Sequence, residues 1–164
     1  LIGSGETIPL FREVLELFEG KTPLVIELKV ERGNANALTD AVMAALEGWR
    51  GVCCVESFHP AALLRLKERY PQVLRGQLSQ NFLKPGEANG LSLPVRFMLT
   101  NLLTTAATRP DFIAYSCKDR DNASLRLMRA LYGVHEVGWT VRDRETMEAL
   151  DREGAASIFE GFVP

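Results

Sequence analysis

At 164 residues, 46% hydrophobic and 24% charged, the chain has the composition of a soluble globular domain, long enough to bury one sizeable core. A formal net charge of −2 and a pI near 5.8 give no basic footprint, which argues against nucleic acid as a partner. The apolar stretches fall far short of a membrane span. Three cysteines, two of them adjacent at Cys53 and Cys54, form neither a disulfide framework nor a metal spacing.

The elements follow in chain order. Ile8, Phe11, Val14, Leu15 and Phe18 keep helical spacing, and Gly20 stops that helix. A strand is expected over 23–29. Its core, Leu24-Val25-Ile26-Glu27-Leu28-Lys29, is the most informative stretch, because it sets two charges into an otherwise buried strand. Strand side chains alternate, so Leu24, Ile26 and Leu28 share one face while Val25, Glu27 and Lys29 share the other. A charge inside a core is costly unless it is paired or bound. Two readings follow: a half-exposed strand with its charges in water, or a polar site at the strand's carboxyl end.

Leu38, Ala41, Val42, Ala45 and Leu46 mark the next helix, ended near Gly48. Val52-Cys53-Cys54-Val55 then runs as a strand into Glu56-Ser57-Phe58. Pro60 opens a helix carrying Leu63, Leu64 and Leu66, closed before Pro71. Val73 to Leu78 is a short strand around Gly76, and the Gly- and Pro-punctuated stretch from Ser79 to Leu93 is an inserted loop above the sheet. Residues 94–107 are expected as one helix, ended by Pro110 before the strand Asp111 to Tyr115. A helix over 122–132, a strand from His135 to Val141, a helix over 143–152 and a strand from Ala156 to Glu160 complete the series.

Six strands separated by helices, without hairpin turn signals, define a parallel α/β architecture with right-handed crossovers. The strands are short and carry polar residues near their ends, which suits a TIM-type (β/α) barrel better than a doubly wound sheet. No Gly-x-Gly-x-x-Gly follows any strand, which counts against a dinucleotide site. The whole span 1–164 reads as one domain. Cys53 and Cys54 read as reduced packing residues, in keeping with a cytoplasmic location. No signal peptide is visible, and since the chain opens on Leu1 and not on Met, the question of a leader stays open.

Several segments in order resemble the glycerophosphodiester phosphodiesterase family. They are Ile8-Pro9 before an acidic amphipathic helix, Pro23 to Lys29, Glu56-Ser57-Phe58-His59-Pro60, Arg75-Gly76-Gln77-Leu78, Pro110 to Tyr115, Gly138-Trp139-Thr140-Val141, and Ile158-Phe159-Glu160-Gly161-Phe162. The resemblance covers nearly the whole chain. It implies a TIM barrel that hydrolyses glycerophosphodiesters to an alcohol and glycerol 3-phosphate with Mg²⁺ or Ca²⁺. It also implies that Glu27 is a metal-ligand carboxylate and Lys29 the cation that meets the phosphate, roles that suit a hard ion and an anionic substrate. Trp139 resembles the tryptophan bordering the substrate pocket, and as an apolar plate it would pack on the glycerol or alcohol; filling the barrel is the equal alternative. Ser57 and Gln77 lie near strand ends within reach of a pocket, or serve there as loop hydrogen-bonders and caps.

The chain also departs from the family. Its pattern of His-Arg-Gly on a first strand and Glu-x-Asp on a second, with a further histidine, is missing, so about six of the eight βα units of such a barrel are expected here. His59 precedes Pro60 at a helix start, where capping is the expected role, and His135 opens a strand at the end of the barrel remote from the site. Arg142, Asp143, Arg144 and Glu145 read as a solvated helix start, while Lys118, Asp119, Arg120 and Asp121 lie on a loop that would shape substrate access. Two functions therefore stand. One is hydrolysis of a small-molecule glycerophosphodiester; the other is a non-catalytic barrel remnant that binds a phosphorylated ligand or a protein. Open barrel edges would in addition favour self-association.

Overall fold

A computed structural model of the chain describes Gly3, Gly5, residues 7–86 and residues 90–164, so the tip of the expected 79–93 loop, at 87–89, lies outside the described residues. The elements are α1 (Phe11–Phe18), β1 (Leu24–Glu27), α2 (Ala35–Ala45), β2 (Cys53–Ser57), α3 (Pro60–Arg69), β3 (Leu74–Ser79), α4 (Leu93–Thr100), α5 (Thr105–Thr108), β4 (Phe112–Ser116), α6 (Ala123–Tyr132), β5 (His135–Val141), α7 (Arg144–Arg152) and β6 (Ala156–Phe159). The six strands form a single sheet in the order β1-β2-β3-β4-β5-β6, every neighbouring pair parallel. Sequential parallel neighbours joined by helices are the construction of a (β/α) barrel, and six units make part of one. Within the described residues β1 and β6 each pair with one strand, so both edges of the sheet are open.

Local chemistry sets the helix ends. At α3, Pro60 occupies the first turn and the His59 side chain accepts from Ala61 N–H through Nδ1 at 3.2 Å. Asn122 Oδ1 accepts from Ser124 N–H at 2.7 Å to start α6, and Asp143 Oδ1 accepts from Thr146 N–H at 2.8 Å to start α7. The helix expected over 94–107 is two helices. Leu102 has φ +59°, a conformation an L-residue rarely adopts, and around it side chains add to the backbone bonds on carbonyls. Asn101 Nδ2 donates to Phe97 O at 2.9 Å and the Thr105 hydroxyl to Leu102 O at 2.6 Å. The break turns Leu102 fully inward against Ile113, Tyr115 and Leu125.

The sheet has two distinct faces. Ile26, Leu28 and Val55 pack against Ala62, Leu63 and Leu66 of α3 and the apolar side of α2, which makes theirs the helix-covered face. Ile113 and Tyr115 of β4 face the same way, beneath α6 and the residues around Leu102. Burial of each such side chain stabilises the fold by about 1.5–3 kcal/mol. The opposite face, carrying Val25, Glu27, Cys54, Glu56, Leu74, Gly76, Leu78, Phe112, Ala114 and Trp139, is the barrel side, by strand alternation and the pairing registers. On that face a Cβ on Gly76 would lie 2.2 Å from the Phe112 ring, so only glycine lets the ring lie across β3.

Candidate functional site

The alternation expected at 24–29 is present, with Ile26 and Leu28 buried and Val25, Glu27 and Lys29 exposed. Glu27 closes β1, and Lys29 follows two residues on, so both leave the carboxyl end of the strand, where barrel enzymes place their chemistry. Lys29 Nζ lies 3.8 Å from Glu27 Oε2; the lysine side chain is 79% exposed and the glutamate 34%. Both line a cleft of about 540 Å³ with Ser57, Phe58, His59 and Phe82, roofed by Val95 and Met98 of α4. An apolar hollow with a few convergent charges at its rim is the usual form of a small-molecule site.

Beside Glu27 lies a residue to which sequence reasoning gave no role. Glu56 pairs with Glu27 across the β1–β2 ladder, so the two carboxylates stand side by side on the barrel face. Glu56 is only 4% exposed, and its Oε2 has no hydrogen-bond partner. Burial, and then the like charge of Glu27, push its carboxyl up from 4.5 to about 7. The Cys54 thiol, on the same face, is pushed up to about 11 chiefly by burial and then by Glu56. The signal that would have found Glu56 is the alignment of the two strands in parallel register, Leu24-Val25-Ile26-Glu27 beside Cys53-Cys54-Val55-Glu56.

The other expected site residues are dispersed. Ser57 touches the cleft but is buried, its hydroxyl donating to Leu28 O at 2.7 Å and accepting from His59 N–H at 3.1 Å. It thereby ties the strand ends of β1 and β2 together. Gln77 pairs in register with Ile113, which puts it on the helix-covered face, turned away from Glu27. There its amide donates to Leu78 O at 3.0 Å and Ser57 O at 3.3 Å, while its Oε1 accepts from Thr104 Oγ1 at 3.4 Å. Trp139 stands on the barrel face, its Nε1 fixed to Ala114 O at 3.0 Å. Its ring meets Phe58 edge-on at 5.5 Å, and Phe58 in turn meets Phe82 at 6.2 Å. That aromatic row joins Trp139 to the cleft wall.

His59 is engaged in capping α3 through Nδ1, and His135 is exposed at the amino end of β5, the far end of the strands from Glu27. Asp119 is held by Lys84 and by Asn81 N–H at 3.0 Å, and Arg120 by Glu136 and Glu153, so the loop after β4 is pinned by ion pairs. Among the described residues no group of three or more histidine, cysteine, aspartate or glutamate side chains gathers into a metal shell. The two adjoining carboxylates, one with an unpartnered buried oxygen, nevertheless offer the hard oxygen donors that Mg²⁺ and Ca²⁺ accept.

Fold and site together describe a barrel-type α/β protein with an acidic and cationic site at the carboxyl end of its first two strands. No family model matches the chain, and no curated protein matches it significantly. Solved structures do. A phosphodiesterase from Oleispira antarctica, in complex with its product sn-glycerol-3-phosphate, superposes with a TM-score of 0.66 at 17% identity over 90% of this chain and 53% of that one. A glycerophosphodiester phosphodiesterase from Thermotoga maritima gives 0.61 at 19% identity over 92% of this chain and 59% of that one. One from Parabacteroides distasonis gives 0.55 at 13% identity over 83% and 52%. The chain thus has the fold of glycerophosphodiester phosphodiesterases, and it spans 52–59% of the length of these three. Among the described residues no helix is long and apolar enough to cross a membrane.

Proposed function

We propose that the chain carries the metal- and phosphate-binding side of a site that hydrolyses glycerophosphodiesters to an alcohol and glycerol 3-phosphate. The observation that carries this reading is the placement of Glu27 and Lys29, together, at the rim of an apolar cleft at the carboxyl end of β1. The fold likeness to a phosphodiesterase with bound sn-glycerol-3-phosphate supports it. Lys29 is exposed on a short reach from the strand end, free to swing from Glu27 to a phosphoryl oxygen and to offset charge that develops there. Phe58, held between Phe82 and Trp139, gives the glycerol or alcohol carbons an apolar wall. Mg²⁺ or Ca²⁺, held in part by Glu27, would supply Lewis-acid polarisation of the phosphoryl group. The proton transfers fall to neither His59, whose Nδ1 caps α3, nor His135, at the opposite end of the strands. The family pattern assigns them to histidines this chain does not contain.

That same placement of both histidines favours the second reading, a barrel unit that binds a phosphorylated ligand without turning it over. One experiment separates the two. Release of glycerol 3-phosphate from glycerophosphodiesters is measured with Mg²⁺, with Ca²⁺ and with chelator, alongside calorimetric binding of glycerol 3-phosphate. Hydrolysis predicts metal-dependent release that falls at least about 100-fold in Glu27→Gln and in Lys29→Ala. Binding without release, weakened in Lys29→Ala, selects the second reading. Neither binding nor release overturns both.

The free cysteines Cys53, Cys54 and Cys117 accord with a reducing, cytoplasmic setting. The unpaired edges of β1 and β6, with Val25 and Leu74 open on the barrel face, lead to self-association through those edges. Light scattering is expected to return a mass above one chain, and a clean monomer at high concentration would remove that expectation.

A further inference from the structure

The barrel face of β2 ends in a carboxylate for which the chain supplies no counter-charge. Glu56 is 4% exposed and its Oε2 is unpartnered, and the group beside it in the ladder is Glu27, of the same sign. Among the described residues no lysine or arginine forms an ion pair with Glu56; Lys29, two residues beyond Glu27, pairs with Glu27 and stands in solvent. Buried carboxylates are normally satisfied, and one that is not points to a missing partner. A water molecule would satisfy one oxygen but would leave two adjacent like charges. A divalent cation held by both side chains would offset both charges, and carboxylate oxygens are the donors that hard cations prefer. The strand geometry fixes the pairing, since parallel neighbours in register bring their side chains to the same face.

We infer that Glu56 is a second carboxylate ligand, beside Glu27, for a divalent cation of the all-oxygen class. The inference rests on the metal-dependent reading above and adds to it a ligand contributed by β2. Lys29 follows as the group released toward the substrate phosphate once the cation, and not the lysine, neutralises Glu27.

The test uses Mn²⁺ alone as the probe, titrated into the metal-free chain and followed by electron paramagnetic resonance of the free ion, with circular dichroism confirming the fold of each variant. Glu56→Gln keeps the shape of the side chain and removes its charge; it is expected to weaken Mn²⁺ binding at least about 10-fold, and the same is expected of Glu27→Gln. Glu56→Asp, which keeps the charge, is expected to retain more affinity than Glu56→Gln. Glu148→Gln, on the exposed side of α7, leaves binding unchanged. Unaltered affinity in Glu56→Gln, with affinity lost in Glu27→Gln, would overturn the role of Glu56 and leave the metal-dependent reading intact. No Mn²⁺ binding by the unmodified, folded chain would overturn both.

Discussion

Glu136→Ala is expected to cost the fold about 3 kcal/mol, near the lower end of what breaking a buried ion pair costs. The Glu136 side chain is 1% exposed and holds two guanidiniums, Arg120 Nε at 2.5 Å and Arg129 Nη1 at 2.6 Å. Arg120 belongs to the loop after β4 and Arg129 to α6, so one carboxylate on the helix side of β5 fastens two other elements. Truncation leaves two partly buried cations facing an apolar gap. Glu153 makes up part of the loss, because it already reaches Arg120 Nη2 at 2.7 Å and Arg129 Nη1 at 3.6 Å. It is half exposed, however, and its attraction is screened by water. Glu153→Ala should therefore cost less than about 1 kcal/mol. Urea denaturation of the two variants reads the difference directly. Equal losses would mean that the four side chains act as a surface network, without a buried anchor. The anchor bears on function because Trp139 is three residues along β5 from Glu136, on the opposite face.

Period-two alternation shows which residues share a face of a strand, but not which face meets the helices. In β1 the apolar set is buried under α2 and α3, and the charged set falls on the barrel side, the division of faces that the alternation implies. In β3 the polarity is reversed. Leu74 and Leu78 take the barrel side, while Gln77 lies under the helices and spends its amide on Ser57 O, Leu78 O and Thr104. Nothing in Leu74-Arg75-Gly76-Gln77-Leu78 by itself announces that inversion; it is decided by the register with Ile113 and by Thr104, far along the chain. Glu56 was hidden for a related reason. Its significance lies in Glu27 standing next to it, and cross-strand neighbours are visible only once two strands are aligned. The elements themselves were legible because Gly20, Gly48 and Pro60 mark helix ends locally. The break at Leu102 was not, since its driving force is the burial of that leucine against β4 and α6.

The metal-free chain should become more stable, not less, when Glu56 is replaced by glutamine, and the gain should depend on pH. Glu56 is held above its ordinary carboxyl range, from 4.5 up to about 7, by burial first and by the charge of Glu27 second. A rise of that size corresponds to about 3 kcal/mol, reduced to about 2 kcal/mol by the water that reaches the neighbouring cleft. In the folded state the acid keeps its proton to higher pH than in the unfolded chain, so between these two values the folded state binds more protons. Stability therefore falls as pH rises through that window. Below about pH 4.5 the carboxyl is neutral in both states and costs nothing extra; above about pH 7 the full penalty is in force. Glu56→Gln removes the penalty. In chelator, its urea midpoint should exceed the parent's at pH 8 by an amount equivalent to about 2 kcal/mol, and the two should converge near pH 4. A variant less stable than the parent at pH 8 would mean that the ionised Glu56 makes a favourable contact within the chain, and the unpartnered oxygen would lose its meaning. The opposite result carries weight for the site. A side chain that destabilises its own fold at neutral pH, where glutamine would not, is strain of the kind proteins keep at sites of function, where a bound ligand offsets it.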